Sequence, residues 1–363
     1  MTVSTAVVGA GTVSEVHLSG LEKNPRTDLV AICDIDFEQA SDAAKRYSIT
    51  PYSDLTELLA QESLDWLHVC TPVQSHLEIS KQAIEAGIPL LIEKPITETV
   101  EELEELERLA DRHDVPVSPV NQHMFDPVMR KARQLFRSGK IGTVRGVDLI
   151  YTGLSAPDDV NRGSWVFDLP GGEFEEGLPH PIYSGLGVSG YPRSEESVSA
   201  TTCLVGDYDE QFTYDTVQVQ YVTSDDILCN LKMISGSRPK HEIQIHGENM
   251  SVKIDMILQS VQTIESDYHL SSIEKGKQSI SRSANHLSSL FSNLKLVAEA
   301  QYKDDWETAK RMNPHYDQFD RTARALENGT EMPVPLESSM WTLRIMEQIR
   351  NSATAEAPPI TTI

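Results

Sequence analysis

The sequence runs to 363 residues with 55 acidic against 31 basic side chains, a formal charge of −24. That length predicts two domains, each able to bury its own core, and the charge repels nucleic acid and anionic headgroups, so neither is an expected partner. No stretch approaches the roughly 20 apolar residues that a membrane span needs, and the start MTVSTAVVGAG lacks the basic residues and cleavage site of a signal peptide, which predicts a cytoplasmic protein.

The four cysteines, Cys33, Cys70, Cys203 and Cys229, form no CxxC and are expected to be buried thiols. The acids sit between regularly spaced apolar residues, as in EELEELERLADRHD with Leu103, Leu106 and Leu109, and read as a solvated helix face. Carboxylates this dense repel one another at low ionic strength and are screened at high ionic strength, which points to a salt-rich cytoplasm, with an ordinary acidic mesophile enzyme as the alternative.

In chain order, Val3 to Val8 is a predicted buried strand ending in GAGTVSEVH, which opens a helix toward Asn24-Pro25. Leu29 to Cys33, Trp66 to Cys70, Pro89 to Ile92 and Val115 to Val120 are further strands with helical patterns between them. Gly87 stops one helix, and Thr99 with Glu102 makes a capping box for another. Strands alternating with helices predict a doubly wound parallel α/β sheet over residues 1–123. Asp126-Pro127 then starts a connecting helix that Gly139 ends. Beyond it, Thr143 to Thr152, Phe212 to Val222, Ile227 to Ile234 and EIQIHGENMSVKID alternate with period two, so residues 124–363 are expected to form an α+β domain with a large, mostly antiparallel open sheet. Ile280, Ala284, Leu287, Phe291, Leu294 and Ala298 repeat at alternating four and three, predicting a long amphipathic helix whose stripe, as most do, faces the core. Oligomer contacts or a cover over the pocket stay open as its role, and membrane docking is disfavoured because the opposite face is not basic. A final helix near 336–351 is expected to pack back on the first domain.

In the first strand-to-helix turn, Gly9 and Gly11, followed by Thr12 and Val13, allow a tight bend and close approach of a pyrophosphate to the helix N-terminus. The third small position is Ser14. Asp34 closes the second strand about 20 residues on, where it can accept hydrogen bonds from a ribose and would repel a 2′-phosphate; Ile35 offers no compensating base. NAD is therefore expected over NADP. IEKP places Glu93 and Lys94 at the carboxyl edge of the sheet, where a lysine partly removed from water can exchange a proton with a hydroxyl. From those four residues alone a surface ion pair is equally open.

Residues Gly171 to Tyr183, GGEFEEGLPHPIY, fit no simple helix or strand pattern, and Pro179 and Pro181 predict a stiff, non-periodic segment around His180. Together VVGAGTVSEVH, CDID, TPVQSHLE, EKP and a carboxylate four residues before a histidine resemble the Gfo/Idh/MocA oxidoreductase family over nearly the whole chain. The resemblance implies a Rossmann first domain, a second domain for substrate binding and oligomerisation as a dimer or tetramer, and a catalytic set of Lys94, Glu176 and His180. It also implies that Thr71, Pro72, His76, Glu93 and Asn121 lie along the cofactor, that Lys94-Pro95 is cis, and that a sugar or polyol is the substrate.

Two departures stand out. The usual aspartate is Glu176 here, one methylene longer, and the common Asn-Arg-Phe is replaced by Asn121-Gln122-His123. His123, His315 and Tyr316 are carried forward as substrate contacts, the last two from NPHYDQF. No HxH or HExxH spacing suggests a metal. The expected reaction is hydride transfer between the nicotinamide and a hydroxyl-bearing carbon, with His180 as base, Lys94 polarising the oxygen and Glu176 orienting the imidazole. An NAD-dependent glycoside hydrolase working by transient oxidation, or a non-catalytic dinucleotide sensor, would use the same cofactor residues.

Overall fold

The computed structural model describes residues 2–161, 163–265 and 271–354; the tail and the start of the segment before the long helix lie outside them. The chain divides into two compact units, the first comprising residues up to 125 together with 299–340, the second 126–298 together with residues from 341 onward.

The first unit opens with β1 (Val3–Val8), α1 (Ser14–Lys23), β2 (Thr27–Cys33), α2 (Phe37–Tyr47), β3 (Thr50–Tyr52), α3 (Leu55–Gln61), β4 (Trp66–Val69), α4 (His76–Glu85), β5 (Leu90–Ile92), α5 (Val100–His113) and β6 (Val117–Pro119). The parallel strands lie in the order β3-β2-β1-β4-β5-β6, the doubly wound arrangement expected from the alternation. Every residue of β4 and β5 is buried, as strands covered on both faces require. Strand order reverses between β1 and β4, so their carboxyl ends open the crevice where such sheets hold ligands. Thr99 caps α5 by accepting from the Glu102 N–H at 3.2 Å, while the Glu102 carboxylate reaches back to the Glu98 N–H at 3.0 Å. Leu103, Leu106 and Leu109 are buried on this helix, leaving its glutamates toward solvent.

The second unit holds α6 (Pro127–Arg137), β7 (Val144–Leu154), α7 (Gly172–Gly177), α8 (Pro179–Ser189), β8 (Ser199–Cys203), β9 (Thr216–Val222), β10 (Leu228–Ser235), β11 (Lys240–Gly247), β12 (Ser251–Asp255) and β13 (Ser260–Ile264), followed by α9 (Ser272–Tyr302). Its sheet runs β13-β12-β11-β7-β10-β9-β8, antiparallel except between β7 and β10. Alternate residues such as Val217, Val219 and Tyr221 are buried, and α6 and α8 pack on this sheet. The large sheet is therefore mixed but mostly antiparallel.

Three expectations are corrected. The segment around His180 is helical: α7 and α8 span it, and Pro179 stands at the first position of α8. Prolines in a helix's first turn remove only N–H groups that have no intrahelical partner, so they start the helix instead of breaking it. The α9 stripe does not face a core: Ile280 is 72% and Phe291 67% exposed, with Leu287 and Leu294 also exposed. Periodicity reports that one face is apolar, not what meets it. Cys33, Cys70 and Cys229 are buried as expected, but Cys203 is exposed on β8.

The chain returns to the first unit with α10 (Trp306–Met312) and α11 (Pro314–Asn328), and ends in α12 (Leu336–Thr354). Phe319 and Ala323 of α11 enter the core formed by Val7, Leu18, Leu21 and Ile32. Asp320 ties this layer down by accepting from Trp306 Nε1 at 3.1 Å and Lys310 Nζ at 3.1 Å, with Arg324 at 2.9 Å. The start of α12 also contributes, since Ser338 Oγ accepts from Asn121 Nδ2 at 3.0 Å.

Candidate functional site

Five loops converge at the carboxyl edge of the first sheet. At the end of β1, Gly9 has φ +97° and its amide donates to Cys33 O at 2.8 Å; a β-carbon there would lie 2.7 Å from Cys70 C. Gly11 has no such constraint, because a β-carbon on it would meet no protein atom within 4 Å. The protein's own packing thus requires glycine at 9 but not at 11, where close approach by a ligand would supply a reason. Thr12 is exposed and Val13 half-buried beside it. Val13 gives α1 no side-chain cap, whereas Asp36, Asp54 and Thr99 cap α2, α3 and α5. An uncapped N-terminus behind a glycine turn suits a pyrophosphate. Ser14 fits the third small position by turning its hydroxyl inward onto Gly11 O at 2.6 Å.

Asp34 is held ready at the end of β2. One carboxylate oxygen accepts from Ala10 N at 2.6 Å and the other from Asp36 N at 2.8 Å, which fixes the side chain beside the glycine turn. Ile35 next to it is almost fully exposed. These residues fit NAD: a cradle for the pyrophosphate, an oriented carboxylate for the ribose, and no base for a 2′-phosphate.

At the ends of β4 and β5, Thr71 is half-buried and Pro72 exposed. His76 joins the two loops, with Nε2 2.8 Å from Thr71 O and Nδ1 3.1 Å from Pro95 O. The Lys94-Pro95 bond is cis. Lys94 is only 8% exposed, and its N–H donates to Glu93 Oε2 at 3.1 Å. The other Glu93 oxygen lies 3.0 Å from His17 Nε2. Burial by itself would raise the Glu93 carboxyl, but the hydrogen bond and charge of His17, with His315 and Lys94 adding to them, hold it at about 2.

Asn121, past β6, is anchored within the unit: its N–H donates to Gln318 Oε1 at 3.0 Å and its side chain to Ser338. His123 is half-buried on the short turn that follows. His315 of α11 stands 6.2 Å from the His17 ring, and loss of hydration lowers it to about 4 against the pull of Glu93. Tyr316 points elsewhere; its hydroxyl pairs with Ser19 Oγ at 2.7 Å and its ring stacks on Trp306.

This cluster sets an acid response. An imidazole lowered from 6.5 to about 4 binds fewer protons in the folded than in the unfolded chain, so its contribution is whole above pH 6.5 and declines as pH falls toward 4. Burial, with the charge of His17, likewise lowers His68. The depressed Glu93 carboxyl acts in the same direction, its contribution declining from about pH 4.5 toward 2. Between pH 7 and 4.5, wild-type protein is expected to lose more stability in calorimetric melts than His315→Asn, the full His315 contribution being about 3 kcal/mol. Parallel loss in both proteins would refute this.

The second unit carries Glu176 and His180. They stand on α7 and α8, four residues apart along consecutive helical turns. Glu176 is buried and His180 half-buried. His180 Nδ1 meets the hydroxyl of buried Tyr183 at 2.9 Å, a partner signalled in the sequence only by the i,i+3 spacing in HPIY. Beneath them Glu175, 1% exposed, accepts from Gly171 N at 2.9 Å, Tyr214 Oη at 2.5 Å and Arg350 Nε at 2.7 Å. That ion pair anchors α7 to α12 and was not legible from spacing. Among the described residues no three His, Cys, Asp or Glu side chains gather as metal ligands, and no helix is long and apolar enough to cross a membrane.

Comparison with known proteins agrees with this layout. Residues 3–120 match the model of the Gfo/Idh/MocA oxidoreductase family, NAD-binding Rossmann fold, and residues 129–253 match that family's C-terminal domain. An uncharacterised oxidoreductase of Synechocystis is 34% identical over 143 residues, 39% of this chain and 38% of that protein. The D-apiose dehydrogenase of Paraburkholderia graminis is 27% identical over 139 residues, 38% of this chain and 37% of that protein. Both matches thus span less than two-fifths of the relative's own length. The crystal structure of the WlbA dehydrogenase of Bordetella pertussis, in complex with NADH and UDP-GlcNAcA, superposes with a TM-score of 0.74 at 17% identity, covering 98% of this chain and 97% of that one.

Proposed function

The chain belongs to the Gfo/Idh/MocA oxidoreductase family, and from that premise we propose that it is an NAD-dependent dehydrogenase or reductase acting on a hydroxyl-bearing carbon of a sugar, polyol or sugar derivative. The observation that carries the reading is the gathering of the Gly9 turn, Asp34 and Lys94 at one sheet edge. NAD, when bound, supplies the hydride acceptor. Oxidising an alcohol also requires removing its hydroxyl proton. His180 takes that proton, Lys94 polarises or shares it at the oxygen, and Tyr183 and Glu176 keep the imidazole in place. His123 and His315 are the candidate substrate contacts.

The dense acidic surface suits a salt-rich cytoplasm, and the expected assembly is a dimer or tetramer. A screen of free sugars, polyols, sugar acids and nucleotide-linked sugars with NAD, followed at the nicotinamide absorbance in molar salt and in dilute buffer, tests the reading. Sustained NADH formation with one class is expected, and faster in salt. Bond cleavage without net NADH would favour a hydrolase using transient oxidation. No reduction of NAD and no oxidation of NADH by the corresponding ketones, in protein that binds the coenzyme, would refute the dehydrogenase reading.

A further inference from the structure

Resting on the role given to Lys94 above, we propose that His17 and His68 are positioning residues for that lysine, a two-ring brace that holds the Glu93 carboxylate against the Lys94 peptide. His17 on α1 and His68 in β4 are both fully buried, and their Nδ1 atoms lie 2.7 Å apart. His17 Nε2 continues the line to Glu93 Oε1 at 3.0 Å, and Glu93 Oε2 accepts from Lys94 N at 3.1 Å. An ionised carboxylate only accepts, so His17 Nε2 carries a proton, and a single proton lies between the two Nδ1 atoms.

His68 is the informative member. It interrupts a strand of Trp66, Leu67 and Val69 that is otherwise apolar and buried, a position where a polar ring is costly unless bonded. Its Nε2 has no hydrogen-bond partner, and Trp66 and Phe319 close round it with ring centroids at 4.1 and 5.1 Å. The ring's polar contact is therefore made through Nδ1, to His17. With both of its nitrogens engaged, His17 can neither flip nor rotate, and Phe319 packs on it at 4.8 Å. The ring in turn fixes the Glu93 side chain, and Glu93, bent back onto its own chain, fixes the backbone from which the Lys94 side chain departs.

Competitive labelling of all lysines with an isotopically paired acylating reagent, read by mass spectrometry on the NAD-loaded protein, tests the brace without needing the substrate. In His17→Gln and Glu93→Gln, Lys94 is expected to label at least about threefold faster while the other lysines keep their wild-type rates. His68→Val should give a smaller change in the same direction, because His17 keeps Glu93. If His17→Gln fails to fold, the other two variants carry the test. Unchanged Lys94 labelling in the folded variants overturns the inference. Failure of the parent reading is separate: normal turnover by Lys94→Ala would remove the lysine from the chemistry whatever the labelling shows.

Discussion

Lys94→Ala is expected to lower kcat by roughly a hundred- to ten-thousandfold, the range for removing a positioned acid or base, while NAD binds with a dissociation constant within a few-fold of wild type. The separation follows from which atoms of residue 94 do what. Its hydrogen bond to Glu93 is made by the main chain and survives the substitution, so the loop after β5 keeps its path. The glycine turn and Asp34, the candidate dinucleotide contacts, are tied to one another through the Ala10 amide. What disappears is one ammonium group beside the sheet edge. Steady-state kinetics on the substrate class found by screening, paired with calorimetric titration of NAD, measures both quantities. Wild-type turnover in the variant would take Lys94 out of the mechanism, and loss of NAD binding would make it a coenzyme residue first.

The two glycines of the turn should separate fold from ligand. Gly9→Ala forces a β-carbon to 2.7 Å from Cys70 C and O and places alanine at φ +97°. Strain of this kind, added to a clash with backbone that cannot swing away, costs about 3 kcal/mol or more, or roughly 6–12 °C in Tm, and NAD binding goes with it. Gly11→Ala meets nothing within 4 Å, so its Tm should stay within about 2 °C of wild type. Its NAD affinity should nevertheless drop at least about tenfold, because the added methyl stands where the pyrophosphate must approach. Differential scanning calorimetry and NAD titration on the pair decide the matter. A Gly11→Ala protein that binds NAD normally would show that the coenzyme does not pass over this turn.

How far these features could be read from residues alone depended on the range of the interactions. The parallel sheet was legible because strands buried on both faces write continuous apolar runs, as in Trp66 to Cys70, and each is followed by its own helix. Asp34 and Lys94 were legible because a strand end is a local event. The edge strands β3, β8 and β13 were not, being short or polar; β8 reads SATTC and never alternates strongly enough. The helical state of 172–189 was hidden by prolines whose cost depends on a start position the pattern does not mark. His68 sat inside a run counted as apolar, and its partner His17 is 51 residues away, as Glu93 is 76 residues from His17. Such pairings exist only once the sheet has assembled. The same holds for Glu175 with Arg350, 175 residues apart.

The bond from the Ala10 amide to the Asp34 carboxylate joins two tasks that are usually considered apart. If this edge holds NAD, discrimination at the sugar and the shape of the bend facing the diphosphate depend on one another, since the side chain that would repel an extra phosphoryl group also braces the turn. Coenzyme preference would then not be a single-position trait: evolution or design that trades the acid for a neutral residue must also find a new tether for the loop.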